Sequence, residues 1–302
     1  MLIIVLFILS FLGLAYSYWL STRLRAEKIT VQMPGYKGPG FKLLFFSDFH
    51  LNPFKSEATS KRFIAQMQGE KAELIIFGGD LFTEPADVGP KQMAWAKRCL
   101  SGLSAPHGIY AVQGNHDVAR SEIESKYQEL MRDLGWKLLE DELIELEELK
   151  LSLLGLKSAY LKEPYLPLFS KERRAANYVP ITLCHEPDYL IDKPSVVKEQ
   201  LILAGHSHAG QIKLPGGFAP VRPKLGKFFI EGFYKLGDAM PLPSSYRRAR
   251  QSYALPRDAQ KIRLDARYLY VSPGSGCTHL PLRFLSRQSY LVMTFEGEES
   301  GQ

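Results

Sequence analysis

Cysteine is scarce in this sequence. The chain has 302 residues and only three cysteines, Cys99, Cys184 and Cys277, none of which stands in a Cys-x-x-Cys pair. This low count excludes a disulfide-stabilised scaffold, and the missing pairs exclude the zinc sites that are built from paired cysteines. A sparse, odd number of cysteines is typical of proteins from a reducing compartment.

A strong excess of one charge is also absent. The chain carries 38 Lys+Arg against 32 Asp+Glu, a net charge of +6, and 45% of its residues are hydrophobic. This composition excludes an intrinsically disordered chain, because the apolar fraction is sufficient for a packed core. The length fits one large domain or two small ones. No internal repeat is present.

Charged residues are missing from the N-terminus. Leu2 to Leu20 form a run of 19 uncharged residues, which spans about 28 Å as a helix, close to the roughly 30 Å of a hydrocarbon core. No basic residue precedes the run, whereas Arg23, Arg25 and Lys28 follow it. We therefore expect an uncleaved membrane anchor over residues 1–22, with a cleaved signal and a buried core helix as the alternatives. The positive-inside rule predicts a single-pass protein of the inner (cytoplasmic) membrane, with residues 21–302 in the cytoplasm.

Short apolar runs alternate with helical patterns in the rest of the chain, which predicts an α/β fold with buried sheets. A hairpin is expected over Leu138–Leu154. The predicted helices are Glu57–Gln68, Pro90–Leu103 and Ser121–Leu134. The predicted strands are Phe41–Ser47, Leu74–Phe77, Ile109–Val112, Leu151–Leu154, Ile181–Cys184, Leu201–Ala204, Tyr268–Val271 and Tyr290–Phe295.

Five polar motifs follow five of these strands, and they contain five of the seven histidines. The carboxyl ends of strands are where α/β proteins bind ligands. Each motif alone is more often a turn or a buried histidine, but the five together, each at a strand end, indicate one site. The motifs are Asp48-Phe49-His50, Gly79-Asp80, Gly114-Asn115-His116-Asp117, Cys184-His185-Glu186 and Gly205-His206-Ser207-His208.

The residue types in these motifs are those of a metal site. In Asp48-x-His50 the intervening residue points to the other side, so both side chains can face one ion. Two oxygens allow a carboxylate such as Asp80 to bridge two ions. Imidazole, carboxylate and amide oxygen together favour Mn²⁺, Fe or Zn²⁺ over Ca²⁺, and the missing thiolate argues against a structural zinc site.

The ordered motifs resemble the calcineurin-like metallophosphoesterase family over roughly residues 40–295. The resemblance implies a four-layer α/β/β/α sandwich of two mixed sheets, preceded here by the anchor, with a domain over residues 40–296 and two divalent metal ions, Mn²⁺ first. It implies that His116 is a catalytic residue that contacts the phosphate without binding metal, and that Asp117 orients it. It further implies two ligand sets that share Asp80: one of Asp48, His50, Asp80 and His208, and one of Asp80, Asn115, His185 and His206.

Residues 184–188, 205–215 and 281–284 resemble the membrane-anchored branch of that family, which includes the chlamydial type of UDP-2,3-diacylglucosamine pyrophosphatase. This resemblance implies hydrolysis of a lipid-linked nucleotide to UMP and a lipid-sugar phosphate in lipid A synthesis. The branch usually carries an Arg where this chain has Pro273. A broader membrane phosphodiesterase or phosphatase is the first alternative, and a non-catalytic binding protein is the second.

A basic, aromatic stretch at about residues 215–265 has no clear period. Between Arg222 and Arg267 there are 11 Lys+Arg and 4 Asp+Glu, a net charge of +7. Such a stretch suits an anionic lipid surface or a lid over the substrate, and its alternative is a solvated loop. A nucleic-acid partner is not expected beside a membrane anchor, and one anchor with one site is compatible with a monomer.

Overall fold

The computed structural model describes residues 1–34, 36–51, 55–84, 88–160, 178–190, 201–236, 260–264 and 267–296. Its elements are, in chain order, α1 (Leu2–Ser21), β1 (Leu24–Gln32), β2 (Phe41–Phe46), α2 (Glu57–Gln68), β3 (Leu74–Phe77), α3 (Pro90–Leu100), β4 (Ile109–Ala111), α4 (Ser121–Leu134), β5 (Lys137–Leu138), β6 (Glu142–Leu146), β7 (Leu151–Gly155), β8 (Val179–Leu183), β9 (Leu201–Ala204), β10 (Gly232–Leu236), β11 (Lys261–Arg263), β12 (Arg267–Val271) and β13 (Gln288–Glu296).

Helix α1 is long and apolar enough to cross a membrane. Most of its side chains are exposed, and only Ser17, Leu20 and Ser21 at its end are buried. It is therefore not a helix of the protein core, and it fits a membrane span or a signal sequence.

The chain folds into two mixed sheets, as predicted. The first has the strand order β11-β1-β13-β2-β3-β4-β5 and the second has the order β10-β12-β9-β8-β7-β6. Within the first sheet β2, β3, β4 and β5 are parallel, and β13 runs antiparallel to β2. Within the second sheet β7, β8, β9 and β12 are parallel, whereas β6 and β10 are antiparallel edge strands. The β6–β7 pair is the predicted hairpin.

One apolar core lies between the two sheets, where Leu43 and Phe45 of β2 share a buried cluster with Leu153 and Ile181 of the second sheet. A second core packs α2, α3 and α4 against the other face of the first sheet, through side chains such as Phe63. Three of the four predicted layers are thus described. Residues 161–177 and 191–200, which connect strands of the second sheet, lie outside the described residues.

The basic, aromatic stretch contributes two strands to the sheets. Strand β10 pairs with β12 at one edge of the second sheet, and β11 pairs with β1 at one edge of the first. The domain bounds and the reading of this stretch as an insertion stay predictions, and its middle, residues 237–259, lies outside the described residues.

Candidate metal centre

The candidate ligands lie on turns at one edge of the two sheets. Asp48 and His50 follow β2, Asp80 follows β3, and His185 follows β8. Five candidate ligands have a positive φ, namely Asp48 (51°), His50 (43°), Asp80 (59°), His206 (71°) and His208 (52°). This backbone region is sparsely populated by residues other than glycine, and residues held in it cluster at functional sites. The fold therefore aims these side chains at a cost in backbone strain.

The first group of ligand atoms comes from Asp48, His50, Asp80 and His208, all of which are buried. Each residue offers one atom, and these atoms lie within 4.8 Å of one another. The Nε2 atoms of His50 and His208 are 3.0 Å apart. Nε2 of His208 is also 3.3 Å from Oδ1 of Asp48. Four donor atoms thus lie close enough together to hold one metal ion.

The second group comes from Asp80, His185 and His206, so Asp80 belongs to both groups. Nε2 of His185 lies 3.1 Å from Oδ2 of Asp80. Among the described residues, Oδ1 of Asn115 is buried and has no hydrogen-bond partner. A buried amide oxygen without a partner is costly, and a cation is one way to satisfy it.

Backbone carbonyls fix the orientation of three of these rings. Nδ1 of His50 lies 2.8 Å from the carbonyl of Phe82, and Nδ1 of His185 lies 2.7 Å from that of Gly78. His206 uses its other nitrogen, with Nε2 at 2.6 Å from the carbonyl of Lys224. Each ring can donate one N–H to a carbonyl, which leaves its second nitrogen unprotonated for a metal, as is usual in metal sites.

Burial determines most of the protonation states. It lowers the pKa of His50 to about 3 and that of His206 to about 4, so both rings are neutral. It raises the pKa of Asp48 to about 6, with the neighbouring charge of Asp80 adding to the effect. For His185 burial acts downward, but attraction to Asp80 outweighs it and raises the pKa well above its usual range.

Two observations of the structure show that the donors fit two divalent cations: the two groups share Asp80, and among the described residues the buried amide oxygen of Asn115 has no partner. Imidazole, carboxylate and amide-oxygen donors together favour Mn²⁺, Fe or Zn²⁺. These are the residues that the resemblance implies. Their roles as ligands and the identity of the ions stay predictions.

His116 lies beside the first group without belonging to it. Its half-buried ring meets that of His50 edge-on, with the ring centroids 5.3 Å apart. The backbone N–H of His116 donates to Oδ1 of Asp80 at 2.9 Å. The ring therefore lies next to the first group, and its contact with a phosphate stays a prediction.

Asp117 has other partners than those predicted. Its carboxylate accepts hydrogen bonds from the backbone N–H groups of Asp80, Leu81, Phe82 and Gly114, at 2.8 to 3.4 Å. In the described part of the chain it makes no hydrogen bond to the ring of His116. It fixes the turns that carry Asp80 and Asn115, because a buried carboxylate binds a loop through its amides more tightly than a neutral acceptor would.

Arg283 is a residue of the site that sequence reasoning missed. It is fully buried, and its guanidinium donates to the carbonyl of His208 at 3.0 Å and to that of Gly276 at 2.6 Å. The backbone of Gly274 also lies close to the candidate ligands, because a Cβ atom at this position would be 3.1 Å from the Cβ atom of Asp48. In the sequence, the only sign of the contact between Arg283 and His208 was the resemblance of Pro281-Leu282-Arg283-Phe284 to the membrane-anchored branch. No local pattern indicates it, since 75 residues separate Arg283 from His208.

Comparison with known proteins agrees with this geometry. The model of the family described as calcineurin-like phosphoesterase matches residues 41–210, more than half of the chain. The chain belongs to the calcineurin-like phosphoesterase family. It is therefore a metal-dependent phosphoester hydrolase with a cluster of Asp and His residues able to bind a metal ion.

Three relatives are similar over most of the domain. The metallophosphoesterase YkuE of Bacillus subtilis is 29% identical over 261 residues, 85% of this chain and 79% of that protein. Phosphodiesterase YaeI of Escherichia coli is 27% identical over 206 residues, 66% of this chain and 72% of YaeI. The UDP-2,3-diacylglucosamine pyrophosphatase LpxG of Chlamydia muridarum is 24% identical over 229 residues, 58% of this chain and 66% of LpxG.

Proposed function

We propose that this calcineurin-like phosphoesterase is anchored in the inner membrane by α1 and hydrolyses UDP-2,3-diacylglucosamine. The products would be UMP and 2,3-diacylglucosamine 1-phosphate, on the route to lipid A. Two supports are the distant similarity to LpxG and the pair of ligand groups that share Asp80.

One observation supports the proposal of a lipid-linked substrate: the end of α1 lies at the edge of the sheets that holds the candidate ligands. Strand β1 begins two residues after α1 and pairs in parallel with β13, which runs antiparallel to β2. The start of β1 therefore lies at the same edge of the sheet as the end of β2, with β13 between them, and Asp48 and His50 follow β2 at that edge. The side-chain amide of Gln288, at the start of β13, donates to the carbonyl of Ser21 at 2.6 Å. A substrate held in the membrane would thus be near the site.

The proposed reaction is hydrolysis of the diphosphate. When bound, two divalent cations supply positive charge at the phosphate oxygens and lower the pKa of water. Water adds its oxygen to one phosphorus and loses a proton to solvent, the P–O–P bridge breaks, and the departing phosphate oxygen takes up a proton. His116 would provide that proton from its half-buried ring. Asp117 would hold the turns that carry Asp80 and Asn115 in place around the site.

The membrane orientation belongs to the same proposal. Arg23, Arg25 and Lys28 follow α1 and favour a cytoplasmic domain. All candidate ligands come from one chain, which is compatible with a monomer.

The test is hydrolysis by the full chain in detergent with Mn²⁺, using UDP-2,3-diacylglucosamine and, in parallel, bis-(p-nitrophenyl) phosphate. We expect UMP release that His116→Ala and Asp80→Asn both abolish. If the simple phosphodiester is cleaved and the lipid nucleotide is not, the lipid A substrate is wrong. The similarity to phosphodiesterase YaeI would then favour a broader phosphodiesterase.

A further inference from the structure

Exposed apolar side chains outside α1 gather in two segments, 212–221 and 280–285. Val221 is 76% exposed, and Phe218 and Leu280 are each 55% exposed. Elsewhere in the described part of the chain, beyond residues 1–21, Tyr160 is the one exposed large hydrophobic residue. The side chains of the two segments that are exposed are Ile212, Leu214, Phe218, Val221, Leu280 and Leu285, called the apolar rim below.

The two segments form one surface. Ile212 pairs with Phe284 in a parallel β-bridge, and the N–H of Lys213 donates to the carbonyl of Phe284 at 2.8 Å. The side-chain amide of Gln211 reaches the carbonyl of Leu280 at 3.3 Å. The rim also lies near the candidate metal centre, because Gln211 and Ile212 follow His208 closely in the chain.

The rim continues onto the end of α1. The backbone N–H of Arg283 donates to the carbonyl of Ser17 at 3.1 Å, and the hydroxyl of Ser17 donates to the carbonyl of Arg283 at 2.9 Å. The ring of Tyr16 meets that of Phe284 edge-on, with centroids 5.9 Å apart. Tyr18 and Trp19, one turn further along, are exposed. Aromatic residues at the end of a span favour the membrane–water interface.

Basic side chains accompany these aromatic rings. The guanidinium of Arg23 lies 5.2 Å from the ring of Trp19, and that of Arg222 lies 5.5 Å from the ring of Phe218. Lys224 and Arg287, which follow the two segments within three residues, are also exposed. Apolar side chains bordered by Arg and Lys fit an anionic bilayer surface, where the stems enter the headgroup region and the charges meet phosphate.

We propose that the apolar rim docks onto the anionic phospholipid surface in which α1 is anchored, and that it holds the edge with the candidate ligands against the bilayer. The occupant is lipid, since the rim is continuous with the end of the apolar helix. This inference rests on the anchoring in the proposed function, but not on the identity of the substrate. Exposed apolar patches of this kind mark interaction sites.

The test places a fluorophore on the rim of the full chain. Phe218→Cys and Leu280→Cys are labelled with an environment-sensitive NBD group and reconstituted in phosphatidylcholine–phosphatidylglycerol vesicles that carry a doxyl quencher on the acyl chains. The native Cys99, Cys184 and Cys277 are all buried, so the unsubstituted chain measures background labelling. Ser101→Cys is the matched control, because Ser101 follows α3 at the opposite end of the sheet, about 20 Å away by the length of β2.

We expect blue-shifted emission and at least about twofold quenching by the lipid at positions 218 and 280, and neither effect at position 101. If positions 218 and 280 show no more quenching than position 101 while the chain floats with the vesicles, the rim does not dock onto lipid in preference to the rest of the surface and the proposal is wrong. A blue shift without lipid quenching means that protein covers the rim, which also overturns it. A chain that does not float overturns the anchoring and this docking together. Cleavage of bis-(p-nitrophenyl) phosphate is measured separately, so a failure of the enzymatic proposal is recognised on its own.

Discussion

At the scale of single residues, Asp80 is the most sensitive position of the candidate centre, because its carboxylate belongs to both ligand groups. We expect Asp80→Asn to lower bound Mn²⁺ from two ions per chain to at most one and to reduce phosphodiester hydrolysis by at least about 100-fold. Elemental analysis of dialysed protein and initial rates check this. Asp133→Asn is the matched control, because Asp133 is an exposed carboxylate that pairs with Lys97. Two tightly held ions in Asp80→Asn would contradict the shared role.

Arg283 is placed to position His208, because its guanidinium donates to the carbonyl of that residue. Arg283→Lys keeps a positive charge but loses the planar fork that donates to the carbonyls of His208 and Gly276. We expect the Mn²⁺ concentration needed for half-maximal activity to rise by about 10-fold or more, with partial rescue at high Mn²⁺. The exposed Arg287→Lys serves as the control. A purely structural role would instead lower the melting temperature and leave the Mn²⁺ dependence unchanged.

Residue types at strand ends were predictable from the sequence, whereas their contacts were not. Asp48, Asp80 and His185 each follow an apolar run, so the sequence alone indicates that they meet at one edge. The contact of Arg283 with His208 depends on how β9 and the turn before β13 are placed, and no local pattern encodes that. The same holds for Asp117, whose backbone partners become visible only once both turns are folded.

At the scale of elements, the apolar runs and helical patterns predicted most of the fold, and α2 and α4 have the predicted bounds. Strand β1 was missed because Arg25, Glu27 and Lys28 make it look like a charged flank of the anchor. In the structure it is an inner strand, and partners satisfy its polar residues: Glu27 accepts hydrogen bonds from Tyr270 and Ser289. Such partners come from distant parts of the chain and leave no local trace.

An ion pair joins α2 to α3 on the outer layer. Hydrogen bonds from Arg98 and Lys61 lower the pKa of Glu57 from 4.5 to about 2. Because the pKa is lower in the folded state, the stabilisation is present above about pH 4.5 and is lost as the pH falls toward 2. We expect Glu57→Gln to lower the melting temperature slightly at neutral pH, with a difference that shrinks over this window. Glu129→Gln, which removes a pair within α4, is the control. A difference independent of pH would show that charge is not the cause.

At the scale of the whole molecule, the short junction between α1 and β1 couples the anchor to the candidate centre. Only Thr22 and Arg23 separate the two elements, and the end of α1 is held by Arg283, which also binds His208. A short Gly-Ser insertion after Thr22 would release this geometry without touching a candidate ligand. We expect hydrolysis of a lipid-linked substrate in vesicles to fall several-fold, while bis-(p-nitrophenyl) phosphate in detergent is cleaved as before. The same insertion after Ser101, at the far end of the sheet, should change neither rate.

Equal rates on the vesicle substrate with and without the junction insertion would mean that the anchor only tethers the enzyme. A loss on both substrates would mean that docking of α1 is needed for the site itself to form.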